Sequence, residues 1–323
     1  MAEYYLKKIT DDKLWDESVD SSRQGTIYLR SDFIRSLGVR HSDYLVYLGD
    51  RPMAGCTVLE DESGGVLKTA CPFVPYQGFF FVNNEQRNYK RIRTEFDLTE
   101  YLIRELLNVY RGLSQLHYAL DDFRPFLWHN YHSPEKGRFK IDLSYTGLLY
   151  LDTFNNLDDL LLSIRTCRRQ EYRKAIKNNI LVEESGDVQV LDHLHELTFL
   201  RQNLTRDEME KSLLHSISTS AIERGYGELK IAFIDGKPAS VALILYHNKR
   251  AYYMFGATDP GCRDSGAMTL LLVESIWEAK KQGYKEFDFV GVNSPNRGDY
   301  KLSYNGKLIP CFKTQLFLSE DTK

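Results

Sequence analysis

The sequence predicts an α/β protein in which one mixed-sheet unit flanked by helices occurs twice, as segments 1–145 and 146–323. Three observations predict it. An apolar strand, a Gly/Asp turn, a basic residue and a proline occur at Leu45 to Pro52 and again at Ile231 to Pro238. Each run is followed, in the same order, by a second strand, a long helix and a further strand. The second copy then ends in an apolar strand that breaks into polar loop residues, the position where α/β proteins usually gather chemistry.

In the first copy Leu45-Val46-Tyr47-Leu48 leads into Gly49-Asp50 and a strand from Ala54 to Leu59. In the second, Ile231-Ala232-Phe233-Ile234 leads into Asp235-Gly236 and a strand from Ser240 to Tyr246. Gly-Asp or Asp-Gly between β-rich runs marks a hairpin, because the tight turn needs positive φ. Apolar periodicity then predicts helices over Leu98 to Leu116 and Met268 to Gln282, followed by strands at Tyr118-Ala119-Leu120 and Phe287 to Val290. Between the copies Leu157, Leu160, Leu161, Ile164, Tyr172, Ala175 and Ile176 recur at helical spacing, which predicts one helix from Leu157 to Asn179. Its second half carries Arg165, Arg168, Arg169, Arg173, Lys174 and Lys177 against the single acid Glu171. Such a run is either a solvated face or a basic wall for the phosphates of a nucleotide, a glycolipid or RNA. It lacks the aromatic interleaving that stacks single-stranded bases, which disfavours RNA.

Composition narrows the class. The chain has 323 residues, 42% of them hydrophobic; single cores rarely grow past ~250–300 residues, so two domains are expected. The net charge of −3 comes from 45 acidic and 42 basic side chains. No global field marks a nucleic-acid binder, a DNA partner is not expected, and any anion site must be local. The five cysteines (Cys56, Cys71, Cys167, Cys262, Cys311) are scattered and never spaced as CxxC. That spacing argues against a disulfide scaffold or a structural zinc, and predicts a reducing cytoplasm. No apolar run approaches the ~20 residues of a membrane span, and the N-terminus lacks a signal peptide's apolar core. A cytoplasmic protein is expected, with at most a passing contact with a membrane surface.

The sequence contains no P-loop, no GxGxxG after a strand, no GxSxG and no HExxH. His129 and His132 stand at HxxH spacing and His193 and His195 flank a leucine, but neither pair has a carboxylate or cysteine at ligand spacing, so no metal is expected. Gly261-Cys262-Arg263-Asp264-Ser265-Gly266-Ala267 precedes the helix at Met268. Backbone amides at such a helix start can hold a pyrophosphate, while a plain turn with a helix cap needs no ligand. The last stretch, Glu286 to Phe317, brings Asp288, Tyr300 and Lys301 close together in sequence. Tyr300, Leu302 and Tyr304 can pack, whereas Lys301 would point an ammonium into a cleft.

Six motifs in order resemble a known family. They are Gly25-Thr26-Ile27-Tyr28, Pro72-Phe73-Val74-Pro75-Tyr76-Gln77-Gly78, Arg124-Pro125-Phe126-Leu127-Trp128, Arg168-Arg169-Gln170-Glu171-Tyr172-Arg173-Lys174-Ala175, Thr198-Phe199-Leu200-Arg201-Gln202, and Phe287-Asp288-Phe289 with Tyr300-Lys301-Leu302-Ser303-Tyr304-Asn305-Gly306. Together they are similar to the FemAB-type branch of the GNAT acyltransferase superfamily, over most of the chain. The resemblance implies two tandem GNAT-like domains, the first degenerate because its helix from Leu98 lacks an Arg-x-x-Gly entry. It implies transfer of an acyl group to an amine of an amino sugar or a cell-envelope precursor, small or lipid-linked. The donor would be acetyl-CoA or another acyl-CoA. Aminoacyl-tRNA is the alternative donor, as in cell-wall members that add amino acids to peptidoglycan precursors, and a catalytically inactive binding protein is a further alternative. By the family pattern Lys301 and Tyr300 lie where donor and acceptor meet, Lys301 facing charge that builds on the carbonyl oxygen or leaving group. Asp288 would orient a neighbour or accept the amine proton. Arg201 would contact an acidic group of the acceptor, and Tyr252 and Tyr253 would line its cleft. Arg263, Ser265 and Gly266 would hold the coenzyme A pyrophosphate, although Met268 replaces the family's last small residue and would crowd a phosphate.

Overall fold

The computed structural model describes residues 3–61, 65, 71–82, 87–106 and 114–317. The chain packs as two compact units, one drawn from the described residues of Met1–Ser144 and Pro310–Lys323, the other from Tyr145–Ile309. The first unit contains β1 (Tyr4–Ile9), α1 (Asp12–Asp20), α2 (Ser31–Ser36), β2 (Arg40–Leu48), β3 (Arg51–Glu60), β4 (Phe79–Phe81), α3 (Asn88–Glu105), β5 (Ser114–Gln115), α4 (Arg124–Trp128) and the start of β6 (Arg138–Tyr150). Strands β1-β2-β3-β4 form an antiparallel sheet. One face packs Trp15, Val19, Leu45 and Phe80, and the indole N–H of Trp15 donates to the Leu29 carbonyl at 2.7 Å. A buried indole thus keeps the partner it needs.

The second unit takes up the end of β6 and continues through α5 (Leu157–Ser163), α6 (Thr166–Lys177), β7 (Leu181–Glu184), α7 (Val188–Leu200), α8 (Glu208–Glu223), β8 (Gly227–Ile234), β9 (Lys237–His247), β10 (Arg250–Thr258), α9 (Ala267–Lys281), β11 (Glu286–Asp288) and α10 (Pro295–Leu302). The last strand, β12 (Lys307–Phe317), carries the chain back to the first unit, where Lys313 pairs with Gln115. Within the second unit the strand order is β6-β11-β10-β9-β8-β7. Every described pairing in it is antiparallel except β10 with β11. Helix α9 buries Leu270, Leu271, Leu272 and Val273 in succession, as a helix covered on all sides must. Among the described residues no helix is long and apolar enough to cross a membrane.

The two predicted hairpins are β2-β3 and β8-β9, and they agree in detail. Each shifts register once near its turn, between Val46 and Tyr47 in one and Ala232 and Phe233 in the other. Each then places a proline opposite an aromatic residue, Tyr47 with Pro52 and Phe233 with Pro238. The turns use left-handed residues, Gly49 at φ 59° in the first and Asp235 and Gly236 at 49° and 74° in the second, as two-residue hairpins require.

Three element boundaries differ from the sequence reading. The helix expected over Leu98 to Leu116 is α3, Asn88–Glu105; residues 107–113 lie outside the described ones. Its buried stripe includes Glu95, which Arg91 clasps at 3.1 and 3.0 Å, so part of the inward face is charged and escapes a reading by apolar periodicity. Its following strand is Ser114–Gln115, not Tyr118 to Leu120. The single helix expected from Leu157 to Asn179 is two, α5 and α6, separated by extended Ile164 and Arg165. That break is held by tertiary contacts, since the Arg165 amide donates to the Ser303 carbonyl at 2.9 Å and its guanidinium grips Asp299 at 2.8 and 2.7 Å.

Candidate active site

Strands β10 and β11 pair in parallel for three residues only, Arg250 with Glu286, Ala251 with Phe287 and Tyr252 with Asp288. Beyond that point β10 runs on to Thr258 while the other strand has ended, so a fork opens at the C-terminal end of the parallel pair. Open α/β sheets bind ligands at such forks. On its β9 side, β10 shifts register between Tyr253 and Phe255, a bulge that bends the strand and re-aims its side chains. Gly256 completes the device, for a Cβ there would fall 1.9 Å from the Tyr253 hydroxyl. The phenol therefore lies along its own strand and donates to the Met268 sulfur at 3.7 Å.

The chain leaving β11 turns sharply. Val290 and Gly291 have φ of 46° and 67°, and a β-branched residue in the left-handed region carries strain of about 1–3 kcal/mol. Two side chains hold it there. Asp288, wholly buried, accepts from the Val290 amide at 2.8 Å and from the Thr146 hydroxyl at 2.5 Å. Lys301 donates its ammonium to the carbonyls of Val290 and Gly291 at 2.6 and 3.2 Å. Lys301 lies on α10, which starts with Pro295 at its first turn. Helix α10 closes onto the turn through Gly298, where a Cβ would meet the Val292 carbonyl oxygen at 2.2 Å.

The ammonium of Lys301 also lies 5.4 Å from the centre of the Tyr253 ring, within cation–π range. Burial lowers its pKa from 10.5 to about 8, with the charge of Arg297 acting in the same direction and Asp288 opposing. It remains mostly a cation at neutral pH, poised to lose the proton just above.

Tyr300, its neighbour, enters a second network. Its hydroxyl lies 2.7 Å from that of Tyr304, which lies 3.0 Å from the Thr269 hydroxyl. Thr269 and Arg168 both donate to one carboxylate oxygen of Glu171, each at 2.5 Å. The Arg168 guanidinium then returns over the Tyr300 ring at 4.6 Å. Burial, with the nearby Tyr304, raises the Tyr300 pKa well above 10, so it acts as a neutral hydrogen-bonding group. The network ties α6, α9 and α10 together behind the fork.

The remaining predicted residues fall in different places. Tyr252 and Tyr253 point to opposite faces of β10; Tyr253 shares the apolar cluster of α9 and faces Lys301, whereas buried Tyr252 lies on the other side. Arg201 is exposed at the C-terminal cap of α7, a helix packed on β10. Arg263 is exposed in the short 3-10 helix, Pro260–Ser265, before α9. The hydroxyl of Ser265 accepts from the Ala267 amide at 3.1 Å and donates to the Cys262 carbonyl at 2.6 Å, the arrangement of a helix cap. Gly266 has φ 86°, and a Cβ on it would lie 2.3 Å from the Glu171 carbonyl oxygen; its form is demanded by the approach of α6. Met268 packs against Tyr253 and the apolar cluster of α9. Among the described residues no three His, Cys, Asp or Glu side chains converge as metal ligands.

Sequence reasoning did not single out Thr269 or the bulge at β10, and read Tyr304 as a packing residue only. Thr269 stands in an apolar helix where only a buried hydrogen-bond partner gives it meaning. The basic run of α6 proved largely committed to internal contacts: Arg165 on Asp299, Arg168 on Glu171 and Lys174 on the Asp264 carbonyl at 2.7 Å.

Residues 165–302 match the family model described as an acetyltransferase (GNAT) domain. Among solved structures, that of FemX is 16% identical and covers 95% of this chain and 96% of its own, with a TM-score of 0.69. A tandem GNAT protein from the clavulanic acid biosynthesis pathway is 12% identical over 97% of this chain and 98% of its own, with a TM-score of 0.54. L-PGS from Bacillus licheniformis is 11% identical over 96% and 92%, also at 0.54. At these identities the likeness is one of fold, and it is the fold of two tandem GNAT-like units. No curated protein sequence matches the chain.

Proposed function

We propose, for a chain whose residues 165–302 match the acetyltransferase (GNAT) domain model, that it moves an acyl group from an activated donor onto an amine of an amino sugar or cell-envelope precursor. The observation that carries this reading is the ammonium of Lys301 over the Tyr253 ring at the end of the parted β10/β11 pair. A carbonyl lodged in the fork, attacked by an amine, forms a C–N bond while negative charge builds on its oxygen. Collapse breaks the bond to the donor's sulfur or oxygen, and the amine proton leaves with that group or to solvent. Lys301 supplies a placed cation for the developing charge. Asp288 is a positioning residue in this scheme, since its carboxylate faces the Val290 amide and Thr146 inside the sheet. Tyr300, bonded to Tyr304 and covered by Arg168, would hold α10, and with it Lys301, in position.

Acyl-CoA is the proposed donor, its pyrophosphate resting on the start of α9 near Arg263 and Ser265. Because Gly266 is held by α6, a Gly266 variant would damage packing, and Arg263→Glu is the cleaner test. Acetyl-CoA at millimolar concentration should raise Tm by mass action, and Arg263→Glu should remove most of that rise. An aminoacyl-tRNA donor is the second reading, favoured by the FemX-like fold over 95% of the chain. Calorimetry with no heat for CoA or acetyl-CoA, together with transfer from aminoacyl-tRNA, would replace the first donor by the second.

A further inference from the structure

The second unit holds a cation that the chemistry above does not use. Arg297 stands on α10 one helical turn before Lys301, on the same face. It is exposed, its Nε donates to the Ser294 hydroxyl at 3.2 Å, and among the described residues no carboxylate lies within ion-pair distance of it. The other charge on this helix, Asp299, is neutralised by the bidentate clasp of Arg165. The charge of Arg297 is felt by two groups, lowering the proton affinity of both Lys301 and His195. It is therefore close enough to act on both.

Around His195 stand a neutral imidazole and a buried guanidinium already matched by carboxylates, so the free positive charge here is that of Arg297 and Lys301. His195 packs its ring on Phe199 and near Phe255, at 5.1 and 6.3 Å between centres, and its Nδ1 is buried with no hydrogen-bond partner among the described residues. Burial first, then the charges of Arg206 and Arg297, hold it at about 4, so it is neutral near pH 7. Arg206 is 2% exposed at its side chain. One of its nitrogens bonds Asp192 at 3.0 Å, with Glu196 at 3.7 Å, while its Nε and Nη2 are buried without partners. Arg297 and Lys301 thus stand one helical turn apart on the same face of α10. An approaching ammonium would be repelled there, whereas an anion would be drawn to the planar fork of Arg297.

We infer that Arg297 determines acceptor specificity by binding an anionic group, a carboxylate or a phosphate, carried close to the attacking amine. The inference rests on the acyl-transfer reading for the word acceptor, but binding can be tested apart from turnover. Two matched pairs serve as probes at 150 mM chloride: glucosamine with glucosamine 6-phosphate, and glycinamide with glycine. Kd is measured by calorimetry for the unaltered chain, Arg297→Gln and Arg297→Lys.

In at least one pair the anionic member should bind about tenfold or more tighter, the scale of a charge-assisted hydrogen bond. Arg297→Gln should bring the two members of that pair to near-equal affinity, Arg297→Lys should restore part of the preference, and the Tm of each free variant should stay close to that of the unaltered chain. The pair that discriminates assigns phosphate or carboxylate. No preference in either pair, or a preference that survives Arg297→Gln, overturns the inference. The two readings fail separately: anionic probes that bind preferentially through Arg297 but are acylated by no donor would remove the acyl-transfer reading alone. Probes acylated equally well by the chain and by Arg297→Gln would remove the Arg297 subsite alone.

Discussion

Lys301 illustrates how one side chain can serve the fold and the chemistry together. Its ammonium satisfies two carbonyls of a strained turn, those of Val290 and Gly291, and faces the fork over Tyr253. Lys301→Ala should lower turnover by ~10²–10³, the effect of losing one preorganised charge-stabilising group. It should also cost about 1 kcal/mol of stability, because two carbonyls lose their donor while the burden of a buried charge is relieved; chemical denaturation measures this part. The pH dependence has a definite sign. The cation is lost as pH rises through about 8, so kcat should fall there, after any rise from deprotonation of the acceptor amine. Lys301→Arg should be slower than the unaltered chain but lack this alkaline fall, since guanidinium stays charged. For stability the direction is opposite: the folded pKa lies below 10.5, so the unfolded chain binds more protons between pH 8 and 10.5 and this group's contribution rises across that window. A profile that keeps climbing past pH 9 would remove the cationic role. His195 acts at the other end. Its folded pKa of about 4 lies below 6.5, so the stability tied to its neutral form is lost as pH falls from 6.5 to 4. Thermal scans of His195→Phe should show a shallower acid decline over that window.

At the scale of elements, helix packing decides where the polar side chains end up. Gly266 starts α9 at φ 86°, and its hydrogen faces the Glu171 carbonyl of α6. Gly266→Ala should destabilise by about 3 kcal/mol or more, from left-handed strain and a backbone clash that no rotamer relieves; urea denaturation midpoints check it. That close approach brings Glu171 within reach of Thr269 and hence of Tyr304 and Tyr300. Thr269→Val keeps the shape and removes both hydrogen bonds. It should cost about 1–2 kcal/mol and reduce activity by loosening Tyr300. The break between α5 and α6 belongs to the same scale. Apolar spacing reads straight through Ile164 and Arg165 because it records which residues are buried. It does not record that Ser303 and Asp299, more than a hundred residues later, bond Arg165.

For the whole molecule, the five cysteines give a direct check on packing. All are free; Cys56, Cys71 and Cys311 are buried and Cys167 is exposed. Burial raises the Cys56 thiol to about 12 and the Cys71 thiol to about 11. A thiol reagent at neutral pH should therefore modify Cys167 fast, Cys262 more slowly, and the three buried thiols only with unfolding. Cys167→Ser should remove the fast phase, and quick modification of all five in the native chain would contradict the packing of the first unit, which holds the three buried thiols.

The sequence by itself determined the duplication, both hairpins and helix α9, because these rest on short-range rules: left-handed turn residues, strand alternation and a nearly continuous apolar run. It also determined that Lys301, Tyr300 and Asp288 come near one another, since a few residues of chain and one turn suffice. What only the tertiary structure decided is the direction each group faces. The parting of β10 and β11, the bulge after Tyr253, and the opposite faces of Tyr252 and Tyr253 depend on which strands become neighbours. The commitment of Arg165 to Asp299, and the exposure of Arg297 with no carboxylate beside it among the described residues, depend on how segments far apart in the chain come together. Charge in a sequence is a count, and whether it is neutralised or left to bind is settled by what packs beside it.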